Sequence, residues 1–257
     1  MLFFKEHNIG ICISFDVDKK SHSHRIDKGD NETYDVVRKN IKLCVEEKMG
    51  FGLSVTVTEN TIKNKESVLE EIIELKPLTI GFNMLIPNKN VFISDSYYKA
   101  ATSFIIYCFK RLRELGIYED RIMRKVDAFV NNKLYPFDCC ACGGNQLVVT
   151  PEGKIGVCHG YLNNRKYFSA NVFDNRFDFK NQPDFLYWKR RTPLLMAECQ
   201  NCECVGICGG GCAYAAEYNH GSIYSLDERF CTHSKIVLDW LINDLYNNIT
   251  DNHSNTN

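Results

Sequence analysis

The sequence predicts an α/β protein in two parts: a parallel sheet with helical crossovers over residues 1–136, then a small cysteine-rich domain over 137–247. Three observations carry this expectation. Short apolar, β-branched runs alternate with amphipathic stretches through the first half. Ten of the chain's 13 cysteines crowd into residues 139–231. The composition changes near Pro136, where a charged connector gives way to cysteines.

Residues 9–15, IGICISF, read as a buried strand ending at Asp16. A polar loop follows, and Thr33 is placed to cap a helix over TYDVVRKNIKLCVEEK, closed by Gly50. In that helix Val36, Val37, Ile41, Leu43 and Val45 are expected near one face. GLSVTVT (52–58) is a second strand, a helix is expected at 66–75, and TIGFNMLI (79–86) is a third strand stopped by Pro87. A long helix over Ser96–Leu115 ends at Gly116, and residues 118–138 read as a charged connector. Strand and helix alternating in this way imply a parallel sheet with right-handed crossovers. In the second part NQLVVT and KIGVCH flank PEG, a hairpin whose Gly153 supplies a positive φ. FLYWKRRTPLLM (185–196) leads to Cys199, residues 234–246 form an amphipathic closing helix, and 248–257 read as a disordered tail.

Apolar residues make up 44% and charged residues 25%, the proportions of a globular domain. A net charge of −1 supplies no long-range pull toward nucleic acid or anionic lipid. The basic run Lys189-Arg190-Arg191 reads as a solvated face. MLFFKEHNIGICISFD has no basic n-region and no cleavage site, and no run approaches the ~20 apolar residues of a membrane span. The expectation is a cytoplasmic chain, whose thiols stay reduced. An odd, clustered cysteine count then favours metal ligation over disulfides. Zinc is one reading of paired cysteines; thiolate-bound iron–sulfur is the other.

The spacing is Cys142, ten residues, Gly153, four residues, Cys158, then after a gap Cys199-x2-Cys202-x5-Cys208-x3-Cys212, and finally Cys231. It resembles the seven-cysteine signature of the SPASM domain, the C-terminal extension of many radical S-adenosylmethionine (SAM) enzymes. Upstream, ISFD with His24 and Arg25, then GDNETYDVVRKNIK, look like the fourth strand and helix of a radical SAM barrel; SVTVT and FNMLIP look like its fifth and sixth strands. The resemblance spans about residues 9–246 and implies an incomplete (β/α) partial barrel followed by a SPASM domain. It implies two auxiliary 4Fe–4S clusters. The first would take Cys142, Cys158 and Cys212 with Cys139 or Cys140 as the fourth ligand; the second would take Cys199, Cys202, Cys208 and Cys231. Cys204 falls outside the signature. Cys12, Cys44 and Cys108, isolated in apolar surroundings, read as core residues.

By the same resemblance, Ser14 and Arg25 match positions that bind SAM, and Leu85 one that packs by its adenine. The plainer readings are that Ser14 caps a strand, Arg25 pairs with a nearby acid and Leu85 is core. His159, where sulfatase-maturase relatives carry a catalytic aspartate, is a weak candidate base. The resemblance implies a maturase acting on a peptide or small protein, reduced by a ferredoxin or flavodoxin. One departure is serious: the CxxxCxxC motif that holds the SAM-cleaving cluster is absent from these 257 residues. The expectation is a truncated or split protein, with an upstream chain as a possible source of the other barrel half. A non-catalytic electron-transfer or docking module and a zinc-stabilised interaction domain stand as alternatives. Fully thiolate-ligated clusters leave no iron open to SAM, so the chain alone, reduced and given SAM, should form no deoxyadenosine above a metal-free control. Chromatography of the quenched reaction checks this.

Overall fold

A computed structural model describes residues 2–87, 93–175 and 177–254. Its contacts divide the chain into two units, the first reaching Arg124 and the second running from Lys125. The second therefore begins earlier than the boundary expected near 136.

In the first unit, short helices α1 (Leu2–Glu6) and α2 (Lys19–His22) flank strand β1 (Ile11–Ser14). Then come α3 (Tyr34–Glu46), β2 (Phe51–Val57), α4 (Glu59–Lys63), α5 (Lys65–Leu75), β3 (Thr79–Met84), α6 (Asp95–Glu114), β4 (Tyr118–Glu119) and the start of α7 (Asp120–Val130), whose residues from Lys125 on count with the second unit. The strands lie in the order β1-β2-β3-β4, and every pairing is parallel, as the alternation of elements required. The pleat sorts their side chains. Leu53, Val55, Val57, Ile80, Phe82 and Met84 are buried, in one core with Ile72 of α5 and Phe104, Ile105 and Leu112 of α6. The alternate residues Ser54, Thr56, Gly81 and Asn83 are only half-buried. Register sets Ser14 beside Ser54, Ser54 beside Gly81, and Thr56 beside Asn83. One face of the sheet is thus apolar and packed, the other small and polar.

Local expectations fail in instructive places. Thr33 is the α3 N-cap residue but makes no capping bond; its hydroxyl donates to the Arg25 carbonyl at 2.6 Å. Val36, Leu43 and Val45 are exposed, and α3 buries Ile41 and Cys44 instead. Val36 and Leu43 are two turns apart and lie on the neighbouring, solvent-side stripe. The helix ends before Gly50: Lys48 takes φ +50° and the Met49 N–H returns to the Cys44 carbonyl at 2.8 Å, a Schellman closure. The charged stretch 118–138 is not a plain connector, since it holds β4 and α7. Glu119 caps α7, its carboxylate accepting from the N–H groups of Arg121 (2.9 Å) and Ile122 (2.8 Å).

The second unit holds a small antiparallel sheet, β5 (Val148–Val149), β6 (Lys154–Gly156) and β7 (Ala170–Asn171). The β5–β6 turn has Gly153 at φ +81°, as its position between PE and KI demanded. Helices α8 (Pro183–Lys189), α9 (Val205–Cys208), α10 (Ala213–His220) and α11 (Glu228–Ser254) follow. α11 outruns the expected closing helix, so residues 248–254, expected to be disordered, are helical; 255–257 lie outside the described residues. Asn248 and Thr250 bond to their own helix, to the carbonyls of Asp244 (2.7 Å) and Tyr246 (3.1 Å). Among the described residues, no helix is long and apolar enough to cross a membrane.

Burial is the main cause that raises the Glu119 carboxyl from its ordinary 4.5 to about 7, against the two helix N–H bonds that favour its charged form. Between those values the folded chain keeps a proton that the unfolded chain has lost, so stability falls as pH rises through that window and is level above it. Glu119→Gln keeps the cap and removes the titration. Urea denaturation at pH 5 and pH 8 should show the native protein losing up to about 3 kcal/mol relative to that variant.

Candidate functional site

The cysteines of the second unit form two groups. In the first, the Cys139 and Cys142 thiols hydrogen-bond to each other, and both act electrostatically with Cys212; Cys158 feels Cys212 and Cys139. In the second, Cys199 feels Cys208 and Cys202, and Cys231 feels Cys208, Cys199 and Cys202. Between Cys139 and Cys140, it is Cys139 that turns inward; Cys140 is exposed. Cys204 is buried beside the second group.

Cys208 and Cys212 fall in different groups although only three glycines separate them. Gly209, Gly210 and Gly211 all take positive φ, +69°, +79° and +65°. Side chains are disfavoured in that region, and here they would also collide: a Cβ on Gly209 would lie 2.5 Å from the Asp138 nitrogen, and one on Gly211 2.9 Å from the Phe230 Cβ.

Neighbouring elements hold each thiol. Cys212 is the N-cap residue of α10, whose Ala213 and Ala215 N–H groups face the Cys139 and Cys212 sulfurs. Cys158 opens a single 3₁₀ turn (His159–Tyr161), and its sulfur accepts from the Gly160 N–H at 3.4 Å. The Tyr161 hydroxyl donates to Glu217 on α10 at 2.6 Å, tying the turn after Cys158 to the helix after Cys212. Asp227 accepts from the Cys212 N–H at 2.9 Å, its own carbonyl accepts from the Cys231 N–H at 3.1 Å, and Arg229 neutralises it at 2.7 Å. One residue therefore anchors a member of each group.

Burial, first among causes, pushes the thiols of Cys158 and Cys231 up to about 12 and that of Cys212 to about 11. Cys139 runs the other way, to about 6, mainly because the Cys142 thiol donates to it. No three histidine, cysteine, aspartate or glutamate side chains among the described residues close around a point that would suit one metal ion. The donor set is all-thiol in both groups, with backbone N–H groups at the Cys139, Cys158 and Cys212 sulfurs of the first, a chemistry that suits thiolate-bound metal. His159 is exposed.

In the first unit, Ser14 is exposed on the polar sheet face. Arg25 grips buried Asp16 with both arms (2.7 and 3.0 Å) and reaches the Thr56 hydroxyl at 3.2 Å. Leu85 is half-buried, its N–H bonded to the Tyr97 hydroxyl at 2.9 Å. The same face carries residues that the sequence reading passed over. Asn83 donates to Ser54 (2.9 Å), and Arg121 donates to Asn83 (2.7 Å). A period-two run of small polar residues, Gly52, Ser54, Thr56 and Thr79, Gly81, Asn83, was the available signal. Cys44 and Cys108 are buried as expected; Cys12 is exposed, because it alternates onto this open face.

No family model matches the chain. A curated protein, the radical SAM cyclopropyl synthase TigE of Paramaledivibacter caminithermalis, is 21% identical over 253 residues, covering 93% of this chain and 50% of its own length. The chain thus spans half the length of the curated relative it matches. Among solved structures, native anSMEcpe with bound AdoMet is similar with TM-score 0.73 and 19% identity, over 97% of this chain and 71% of that one. Native anSMEcpe with bound AdoMet and Cp18Cys peptide has TM-score 0.71 and 18% identity, over 97% and 72%.

The glycine reversal gives a direct test. Gly144 also has positive φ (+74°) but open space around it, so Gly144→Ala should cost only the conformational ~1 kcal/mol. Gly209→Ala adds the collision with Asp138 and should cost clearly more. Thermal melts of the two variants beside the parent read the difference.

Proposed function

The chain is a relative of the radical SAM/SPASM proteins, and from that premise we propose that it serves the radical modification of a peptide or small protein through two auxiliary 4Fe–4S clusters. Cys139, Cys142, Cys158 and Cys212 hold the first; Cys199, Cys202, Cys208 and Cys231 hold the second. The observation that carries this reading is the parting of Cys208 from Cys212 across three left-handed glycines, which yields two thiol quartets rather than one. When bound, such clusters accept or relay single electrons. The residues of this chain surround them, exclude water and set their local charge.

The polar sheet face is the proposed SAM side of the first unit. Ser14 is free to meet a ligand there; Arg25, already braced by Asp16, presents its guanidinium edge at Thr56. Leu85, past the end of β3, supplies apolar contact. That similar folds hold AdoMet and a peptide supports a SAM and peptide role for this chain at the coarser level. Generation of the radical needs a CxxxCxxC loop, which these 257 residues lack, so it comes from further sequence or another chain. β1, at the end of the sheet with one edge unpaired among the described residues, offers a strand position for it. A ferredoxin or flavodoxin is the proposed electron donor, in the reducing cytoplasm.

Anaerobically reconstituted protein should be brown and hold about eight iron atoms, as two four-iron clusters require. Colourless protein with stoichiometric zinc would favour the interaction-domain alternative. Alanine variants test the partition: Cys202→Ala and Cys231→Ala should lose one paramagnetic signal, and Cys158→Ala and Cys212→Ala the other. Loss of the same signal from Cys202→Ala and Cys212→Ala would defeat it.

A further inference from the structure

The run Lys189-Arg190-Arg191, expected to be a solvated face, divides: Lys189 and Arg190 are exposed, but Arg191 is fully buried. Its guanidinium donates to three backbone carbonyls, those of Ile223, Gly211 (3.2 Å) and Ser225 (3.3 Å). Among the described residues no aspartate or glutamate forms an ion pair with it; the nearby Asp227 is taken by Arg229. Carbonyl dipoles satisfy the donors of a guanidinium but leave its charge uncompensated, and a buried charge of this kind is costly unless an anion accompanies it.

The surroundings point to that anion. Arg191 bonds the carbonyl of Gly211, beside Cys212, and the Nη1 atom lies 3.3 Å from where a Cβ on Gly210 would sit. It is therefore packed against the reversal that parts the two thiol groups. We infer that Arg191 is a positioning residue shared by both quartets: the fixed counter-charge, between two thiolate-ligated clusters, that each negatively charged cluster faces. The inference rests on the two-cluster reading above and adds a role to it. Reduction adds an electron to a cluster that is already negative, so a buried cation nearby favours the reduced form and raises the potential. A purely structural tie of three loops would not do this.

The experiment is a redox titration, followed by electron paramagnetic resonance, of the reconstituted native chain, Arg191→Lys and Arg191→Gln, with iron and acid-labile sulfide measured on each. Arg191→Gln should shift both midpoint potentials downward, while Arg191→Lys, which keeps the charge but not the three-way fork, should stay near the native values. Unchanged potentials in Arg191→Gln, or movement of one cluster alone, overturn the shared counter-charge and leave the two-cluster reading intact. If Arg191→Gln fails to hold iron, Arg191→Lys decides. Full iron and native potentials in the lysine variant support the charge; equal loss of iron shows that the carbonyl bonds alone matter and overturns it. A native chain that takes up no iron and sulfide overturns both readings together.

Discussion

A backbone reversal governs the second unit. Cys208 closes a short helix and Cys212 opens another, and the chain must turn between them in three residues. Consecutive left-handed conformations do this, and only glycine adopts them without strain. The space around the turn is closed by Asp138, Pro193 and Phe230, so the absence of side chains matters for volume as well as for φ. Once the reversal is made, one stretch of chain contributes to both thiol groups. The Tyr161–Glu217 bond and the Asp227 anchor then hold the groups at fixed places.

This arrangement has an electrostatic consequence. Burial favours neutral thiols, whereas metal binding requires thiolates, so loading a site of this kind releases protons and couples metal content to folding. Helix N–H groups at the start of α10 offset part of the cost for Cys139 and Cys212. Two buried cations lie in the same unit: Arg191, and Lys125, whose ammonium donates to the carbonyls of Ile207 and Cys208 (both 3.2 Å) and sits 5.7 Å over the Tyr135 ring.

The first unit solves a different problem. A parallel sheet with both faces apolar needs helices on both; here the second face carries glycine, serine, threonine and asparagine. Such a face is too polar to be a core. Its hydrogen bonds run across strands, Arg121 to Asn83 to Ser54, and Arg25 to Thr56, which fixes the polar groups before any ligand arrives. Preorganisation of this kind lowers the entropy cost of binding.

The sequence by itself determined the strand–helix order, the parallel sheet and the hairpin around Gly153, because these follow from local periodicity and turn chemistry. Cysteine spacing showed that ten thiols crowd into one stretch; the family resemblance, not the spacing, suggested how they divide. Tertiary structure decided the rest. Adjacent cysteines are equivalent in sequence, and only packing turned Cys139 inward and left Cys140 outside. The helix α7 was hidden because its charged residues outnumber its buried ones, and the cap at Glu119 uses a carboxyl whose burial only the fold decides. Arg191 sits in a run that reads as solvent-facing, and nothing local distinguishes it from Arg190. Its burial arises from three carbonyls 20 to 34 residues away, a long-range arrangement that no short window of sequence contains.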